Sequence, residues 1–259
     1  MRWISKSETQ PGLVRDNNED TLFACDEHGI WLLADGMGGH NGGEVASRMA
    51  CETVATQLGS GESLQAAIGY AHREILDHAK SHRELRGMGT TLVAAQRYRR
   101  QLLLAWVGDS RIYLLRNGQL SQLSTDHSFV QDMVTRGVLS EEEAQHHPQK
   151  HLLRQALGQT NLRQLTVDLS VHVPRLGDLL LLCSDGVHDM LTAAEISQCL
   201  ASAADIHQQA RALCERVLST EAKDNFSFIL LSFESGPRRR LLDQLAALIQ
   251  KTRRHNLSG

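Results

Sequence analysis

Residues 103–123 read LLAWVGDSRIYLLRNGQLSQL. The run Leu103 to Val107 is apolar, too short for a buried helix and closed by Gly108, the pattern of a strand covered on both faces. Beyond Asp109-Ser110, the segments Arg111 to Arg116 and Gln119 to Leu123 flank Asn117-Gly118. Asn-Gly takes the positive φ angles of a type I′ turn readily, so the flanks are expected to pair as an antiparallel hairpin. With helical patterns before and after, this favours sheets layered with helices over a doubly wound parallel fold. Asp109 falls where the first apolar run stops, and a carboxylate at a strand end is delivered to a sheet rim.

Three further aspartates stand in the same relation to apolar runs: Asp35 after Trp31 to Ala34, Asp185 after Leu179 to Ser184, and Asp224 before Phe226 to Phe233. Gathered carboxylates repel one another unless a cation holds them. An all-oxygen set suits Mg²⁺ or Mn²⁺, and a pair of such ions is a standard apparatus for phosphoester hydrolysis. The densest segment, Arg15-Asp16-Asn17-Asn18-Glu19-Asp20, adds a planar donor fork that fits a phosphoryl group and two more acids able to ligate a hard cation directly or through water. In Asp35-Gly36-Met37-Gly38-Gly39-His40 the glycines let the backbone approach closely, so the Gly36 carbonyl joins the candidate ligands.

Composition narrows the classes. The chain has 259 residues, enough for one large domain, and its 27 Lys plus Arg against 30 Asp plus Glu give no overall basic field of the kind that attracts nucleic acid. Five cysteines without a Cys-x-x-Cys spacing read as reduced thiols in a cytoplasmic protein, neither a disulfide frame nor a zinc site. No apolar run approaches the roughly 20 residues of a membrane span. The glycine run matches neither G-x-G-x-x-G nor G-x-x-x-x-G-K-[ST], and no G-x-S-x-G elbow supports serine-esterase chemistry.

Around these motifs strands are expected at Trp3–Ser5, Thr21–Ala24, Ile30–Ala34, Leu165–Val173, Asp178–Cys183 and Phe226–Phe233. Helices are expected from Gly42-Gly43 to about Leu58, along the stripe Leu64, Ala67, Ile68, Ala71 and Ile75, from the capping box Thr192 to Glu195, and over Ile206–Leu218. A polar helical stretch with a second capping box, Ser140 to Glu143, fills the interval to Gly158. After Ser235-Gly236-Pro237 a basic amphipathic helix is expected, with Leu241, Leu242, Leu245, Leu248 and Ile249 on one side.

Arg15-x-x-Asn18-Glu19-Asp20, Asp35-Gly36-Met37-Gly38-Gly39-His40, Gly89-Thr90-Thr91, Gly108-Asp109-Ser110-Arg111, Cys183-Ser184-Asp185-Gly186 and Asp224-Asn225 stand in an order that resembles bacterial metal-dependent serine/threonine protein phosphatases, the protein phosphatase 2C (PPM) family. The resemblance runs from about Ile4 to Phe233. It implies an α+β fold, a four-layer αββα sandwich of two mainly antiparallel sheets flanked by helices. Residues 1–234 would form the catalytic domain, with a flap at about 129–157, and 235–259 a linker and basic helix.

The same resemblance implies that Asp35 bridges two Mn²⁺ or Mg²⁺ ions, with the Gly36 carbonyl on one of them. Asp185 and Asp224 complete the other shell, Asp20 holds metal-bound waters, Glu19 contributes directly or through water, and Asp109 with Asp185 forms a weaker third site. Arg15 would bind the substrate phosphate, and His40 is the candidate general acid, against the alternative that it only supports its loop. The implied activity is hydrolysis of phosphoserine and phosphothreonine in proteins by an activated water. The expected setting is a cytoplasmic monomer that reverses a bacterial serine/threonine kinase, with a forkhead-associated-domain protein as a shared substrate. A metal-free phosphoprotein-binding module is the competing reading, disfavoured because every acidic position is intact.

Overall fold

The computed structural model describes residues 2–38, 42–160, 162, 164–203 and 205–234. In chain order these form β1 (Arg2–Gln10), β2 (Asp20–Cys25), β3 (Ile30–Met37), α1 (Gly42–Gly59), α2 (Leu64–Ser81), β4 (Gly89–Thr90), β5 (Leu92–Tyr98), β6 (Gln101–Val107), β7 (Arg111–Arg116), β8 (Gln119–Gln122), α3 (Phe129–Thr135), α4 (Glu141–Gln145), β9 (Asp168–His172), β10 (Leu179–Cys183), α5 (Asp185–His188), α6 (Ala193–Ala201), α7 (Ile206–Leu218) and β11 (Phe226–Glu234). One sheet has the order β1-β11-β10-β7-β8 and the other β2-β3-β5-β6-β9, with β4 paired to β3. Every ladder among the described residues is antiparallel.

The unbroken apolar runs are explained by burial on both faces. Leu180, Leu182, Ile229 and Leu231 from one sheet meet Trp31, Leu33, Val93 and Leu104 from the other in the layer between the sheets. The alternate residues point outward under helices: Leu32, Ala34 and Ala94 under α1 and α2, and Leu181, Cys183, Phe228 and Leu230 under α6 and α7. Each Leu, Val, Ile or Phe among them contributes about 1.5–3 kcal/mol by leaving water. The stripe Leu64, Ala67, Ile68, Ala71 and Ile75 of α2 is buried, and Ser63 caps that helix by accepting from the Ala66 N–H at 3.2 Å. Both expected capping boxes close, at Ser140/Glu143 and Thr192/Glu195. The β7–β8 hairpin turns at Asn117 (φ +53°) and Gly118 (φ +78°), as its Asn-Gly pair requires.

Four expectations shift. β1 extends over Arg2–Gln10 because its polar second half still pairs with β11, residue for residue to Gln10↔Phe226. β3 runs on through Asp35 and Gly36, where it gains β4 as a second neighbour. The strand expected from Leu165 begins only at Asp168. Asp185 opens a single helical turn, α5, which is too short to show a period. His40 and the basic helix expected over 235–259 lie outside the described residues.

Candidate metal centre and active site

The carboxylates arrive from both sheets at one end of the sandwich. Asp20 at the start of β2 faces Asp35 across the ladder. Asp109 occupies the β6–β7 turn, Asp185 follows β10, and Asp224 precedes β11. Asp35, Gly36, Asp109, Asp185, Asp224, Arg15 and Glu19 line one cavity of about 500 Å³, together with Thr91, His151, Leu153 and Asn225. Asp20 does not line it. It is buried behind Asp35, where Ser184 Oγ donates to its Oδ2 at 2.9 Å and itself accepts from the Ser227 N–H at 3.0 Å.

The backbone of Asp35 is held so that its side chain is left to the cavity. The Asp35 N–H donates to Thr91 Oγ1 at 3.1 Å, and the Asp35 carbonyl accepts from Thr90 Oγ1 at 2.8 Å and from the Thr91 N–H at 2.9 Å. Gly36 is required by close approach: a Cβ there would run into the Gly43 carbonyl and meet the Glu19 carbonyl at 2.6 Å. The loop bearing Arg15 and Glu19 is tied down by Asn225, whose Oδ1 accepts from the Glu19 N–H at 2.9 Å. Its Nδ2 donates to the carbonyls of Asn17 at 2.7 Å and Pro11 at 3.0 Å. Arg15 Nη2 reaches Asp224 Oδ2 at 3.0 Å, and both side chains are about half exposed.

Electrostatics tests whether these residues suit cations. Burial, reinforced by the neighbouring carboxylates, pushes Asp35 and Asp109 well above the usual carboxylate range. Burial likewise raises Asp20 to about 7 and Asp185 to about 6. No lysine or arginine pairs with these four among the described residues; the nearest base is His151, whose Nδ1 is 3.9 Å from Asp185 Oδ2. Two buried acids, Asp20 and Asp109, and two partly buried ones, Asp35 and Asp185, without a lysine or arginine partner form an oxygen-donor set that fits hard divalent ions. A further group adjoins it: ligand atoms of His151, Asp185 and Asp189 lie within 4.8 Å of one another.

Sequence reasoning missed the supporting groups. Thr91, Asn225 and Ser184 fall inside motifs singled out for their neighbours, and their backbone contacts are long-range. His151 and Leu153 belong to the flap between β8 and β9, whose returning strand is pinned by the bridges Ser128↔Leu153 and Thr90↔Leu157. No periodicity marks such loop residues as cavity-lining. Among the described residues Ser110 and Ser184 have no histidine partner: Ser110 Oγ is 2.7 Å from Thr91 Oγ1, and Ser184 bonds Asp20.

A two-sheet sandwich with this acidic rim and an arginine beside it is the architecture of a metal-dependent phosphatase. The Protein phosphatase 2C family model matches residues 14–226, and the chain belongs to that family. Serine/threonine phosphatase stp of Listeria innocua is 39% identical over 236 residues, spanning 86% of this chain and 93% of its own length. Serine/threonine protein phosphatase PstP of Mycobacterium tuberculosis is 36% identical over 237 residues, 89% of this chain and 44% of that longer protein. The crystal structure of M. tuberculosis PstP/Ppp superposes with a TM-score of 0.82 at 35% identity, covering 91% of this chain and all of that one. A PstP catalytic domain in complex with two manganese ions superposes at 0.80 with 33% identity, covering 90% and 99%. The chain is accordingly an enzyme of the serine/threonine protein phosphatase class. No helix among the described residues is long and apolar enough to cross a membrane.

Proposed function

We propose that residues 1–234 form a catalytic domain that hydrolyses phosphoserine and phosphothreonine in proteins through two divalent cations held by Asp35, the Gly36 carbonyl, Asp185 and Asp224. Asp20 orders water behind Asp35, and Asp109 with Asp185 offers a weaker third position. The observation that carries the reading is the convergence of Asp35, Asp109 and Asp185, which no lysine or arginine neutralises, with Asp224 and its partner Arg15 on one cavity of about 500 Å³. Bound there, such ions would supply an acidified water as nucleophile and would offset charge on the phosphoryl oxygens.

The protein's own groups do the rest. Arg15, presented by the Asn225-anchored loop, turns its fork from Asp224 to the equatorial oxygens of the phosphoryl group and orients it for in-line attack. The threonine pair Thr90-Thr91 keeps Asp35 from swinging towards its own backbone. His40 is the candidate donor of the proton to the leaving alkoxide, against the alternative that it only supports its loop. No side chain becomes phosphorylated. Manganese in the PstP neighbour supports Mn²⁺ first and Mg²⁺ second. A serine/threonine kinase as the opposed enzyme, a forkhead-associated-domain protein as substrate, a cytoplasmic setting and a monomeric state complete the proposal.

The test is hydrolysis of a phosphothreonine peptide and of p-nitrophenyl phosphate with Mn²⁺, Mg²⁺ or EDTA, by the wild type and Asp35→Asn. Metal-dependent turnover lost in the variant is the expected result. Turnover that survives exhaustive chelation would refute the mechanism, and a folded protein inert with every metal would favour a phosphoprotein-binding module.

A further inference from the structure

His188 Nε2 lies 3.1 Å from the Asp109 carbonyl, and two further contacts hold the loop that carries Asp109 from either side. On one, Ser110 meets Thr91. On the other, His127 at the root of the flap makes a reciprocal pair with Gly108, which is itself buried. The His127 N–H donates to the Gly108 carbonyl at 2.9 Å, and the Gly108 N–H donates to His127 Nδ1 at 3.2 Å. The second bond sets the tautomer: Nδ1 offers its lone pair, so the proton of the neutral ring is on Nε2, which lies 3.4 Å from Asp168 Oδ2 on β9. The same residue joins the two strands of the flap root, since its carbonyl accepts from the Arg154 N–H at 2.7 Å and the Phe129 N–H donates to the Leu152 carbonyl at 2.8 Å. Next to it, Asp126 is gripped by Arg111, two residues after Asp109.

We propose that His127 is a positioning residue whose Nδ1 holds the Gly108–Asp109 backbone in place and ties it to the flap root, two residues ahead of Phe129 and directly bonded to the strand that brings His151 and Leu153 to the cavity. The backbone half of the pair is open to any residue. The Nδ1 half is not: it needs an acceptor at the δ position. Asparagine supplies one, because its Oδ1 takes the place of Nδ1. Glutamine carries its acceptor one carbon further out, near the place of Nε2, and alanine has none. Leaving the buried Gly108 N–H unpaired frees the Asp109 loop, and the cost of an unmade buried bond corresponds to about a tenfold change in an equilibrium.

The test uses the full chain as wild type, His127→Asn, His127→Gln and His127→Ala. Long-range ¹⁵N–¹H spectra of the metal-free wild type are expected to show a bare Nδ1 and a protonated Nε2. Amide exchange at Gly108 is expected to stay slow in wild type and His127→Asn and to quicken about tenfold in the other two. The Mn²⁺ concentration for half-saturation in calorimetry, and for half-activation with p-nitrophenyl phosphate, is expected to rise about tenfold in His127→Gln and His127→Ala and to hold within about twofold in His127→Asn. A protonated Nδ1, or asparagine and glutamine variants that behave alike, would overturn the assignment. Should the alanine variant not fold, the asparagine–glutamine comparison still decides, with thermal melting as the check that both are native. The calorimetric and activity readings rest on the phosphatase reading, whereas the spectra and exchange do not. Loss of all metal response in the wild type would therefore sink that reading while the spectra still judge His127.

Discussion

Asp35→Asn is expected to abolish activity and to stabilise the metal-free protein at alkaline pH, two effects of opposite sign from one substitution. Asp35 is buried among Asp20, Asp109, Asp185 and Asp224, all of which push its acidity in the same direction. Asp20 is raised from 3.8 to about 7 and Asp185 from 3.8 to about 6, chiefly by burial. A carboxyl whose folded-state pKa exceeds its unfolded value favours the fold fully below the unfolded pKa, and that advantage is lost as pH rises towards the folded one. The window here is about pH 4 to 7, so at pH 8 the metal-free cluster is held ionised against the fold. At about 1.4 kcal/mol per tenfold change in acidity, the shifts of Asp20 and Asp185 alone correspond to a penalty on the order of 7 kcal/mol, of which removing one charge is expected to relieve about 3 kcal/mol. Asparagine removes one charge, keeps the shape and offers Asp185 an amide donor in place of a second carboxylate. For a chain of this size each kcal/mol moves Tm by about 2–4 °C, so a rise of roughly 5–10 °C is expected at pH 8, shrinking with falling pH and approaching zero only near pH 4. The assay is thermal melting in EDTA across pH 5–8. The electrostatic account fails if the variant melts at or below the wild type at pH 8, or if the difference does not change with pH.

Arg15→Ala should lower kcat/KM for p-nitrophenyl phosphate on the order of 100-fold through loss of the phosphate clamp, with Arg15→Lys between the two because an ammonium lacks the fork. The same alanine variant should bind Mn²⁺ at least as tightly as the wild type in calorimetry, since Asp224 loses its 3.0 Å arginine partner. Asn225→Ala deletes three hydrogen bonds to the Arg15 loop and should raise KM for both substrates while lowering Tm by several degrees. Asp178→Asn, remote from the cavity, breaks a buried network with Arg116 at 2.6 Å and His172 at 3.1 Å and should cost about 3 kcal/mol in urea unfolding while kcat stays unchanged. Its acidity is increased by Arg116 and the Arg175 N–H, so its stabilisation is present above about pH 4 and lost as pH falls below it, the opposite sense to the cavity cluster.

What the sequence disclosed follows from which forces are local. The apolar runs of β3, β6, β10 and β11 were legible because both faces of each strand are covered, and Asp35, Asp109, Asp185 and Asp224 were legible as the charges that stop or start those runs. The polar half of β1, Ser5 to Gln10, carries no apolar run, and only its partner β11 makes it a strand. Depth was equally hidden: Asp20 and Glu19 are adjacent acids, yet Glu19 faces the cavity and Asp20 is sealed behind it by Ser184, a residue 164 positions away. The histidines show the limit most plainly. Nothing distinguishes His127, His151 and His188 from the other ten until the flap folds back: then one bonds Gly108, one faces Asp185, and His188 Nε2 lies 3.1 Å from the Asp109 carbonyl.

The protein contains its own control for the metal centre in two kinds of buried aspartate. Asp126 and Asp178 are as deeply placed as Asp20 and Asp109, yet each is met by an arginine fork, from Arg111 and Arg116, and Asp178 is held below the usual carboxylate range. Asp20, Asp35, Asp109 and Asp185 receive hydroxyls, backbone neighbours and one another, and all four are pushed upward. Chain positions capable of supplying an arginine were within reach, since Arg111 is two residues from Asp109 and is turned instead towards Asp126. Its guanidinium satisfies Asp126 at the flap root and leaves Asp109 without an arginine. Among the described residues, the fold meets Asp126 and Asp178 with arginines and leaves Asp35, Asp109 and Asp185 on one cavity, with Asp20 behind them, to charge from outside the chain, and a set dominated by carboxylate oxygens makes a hard divalent cation the fitting source.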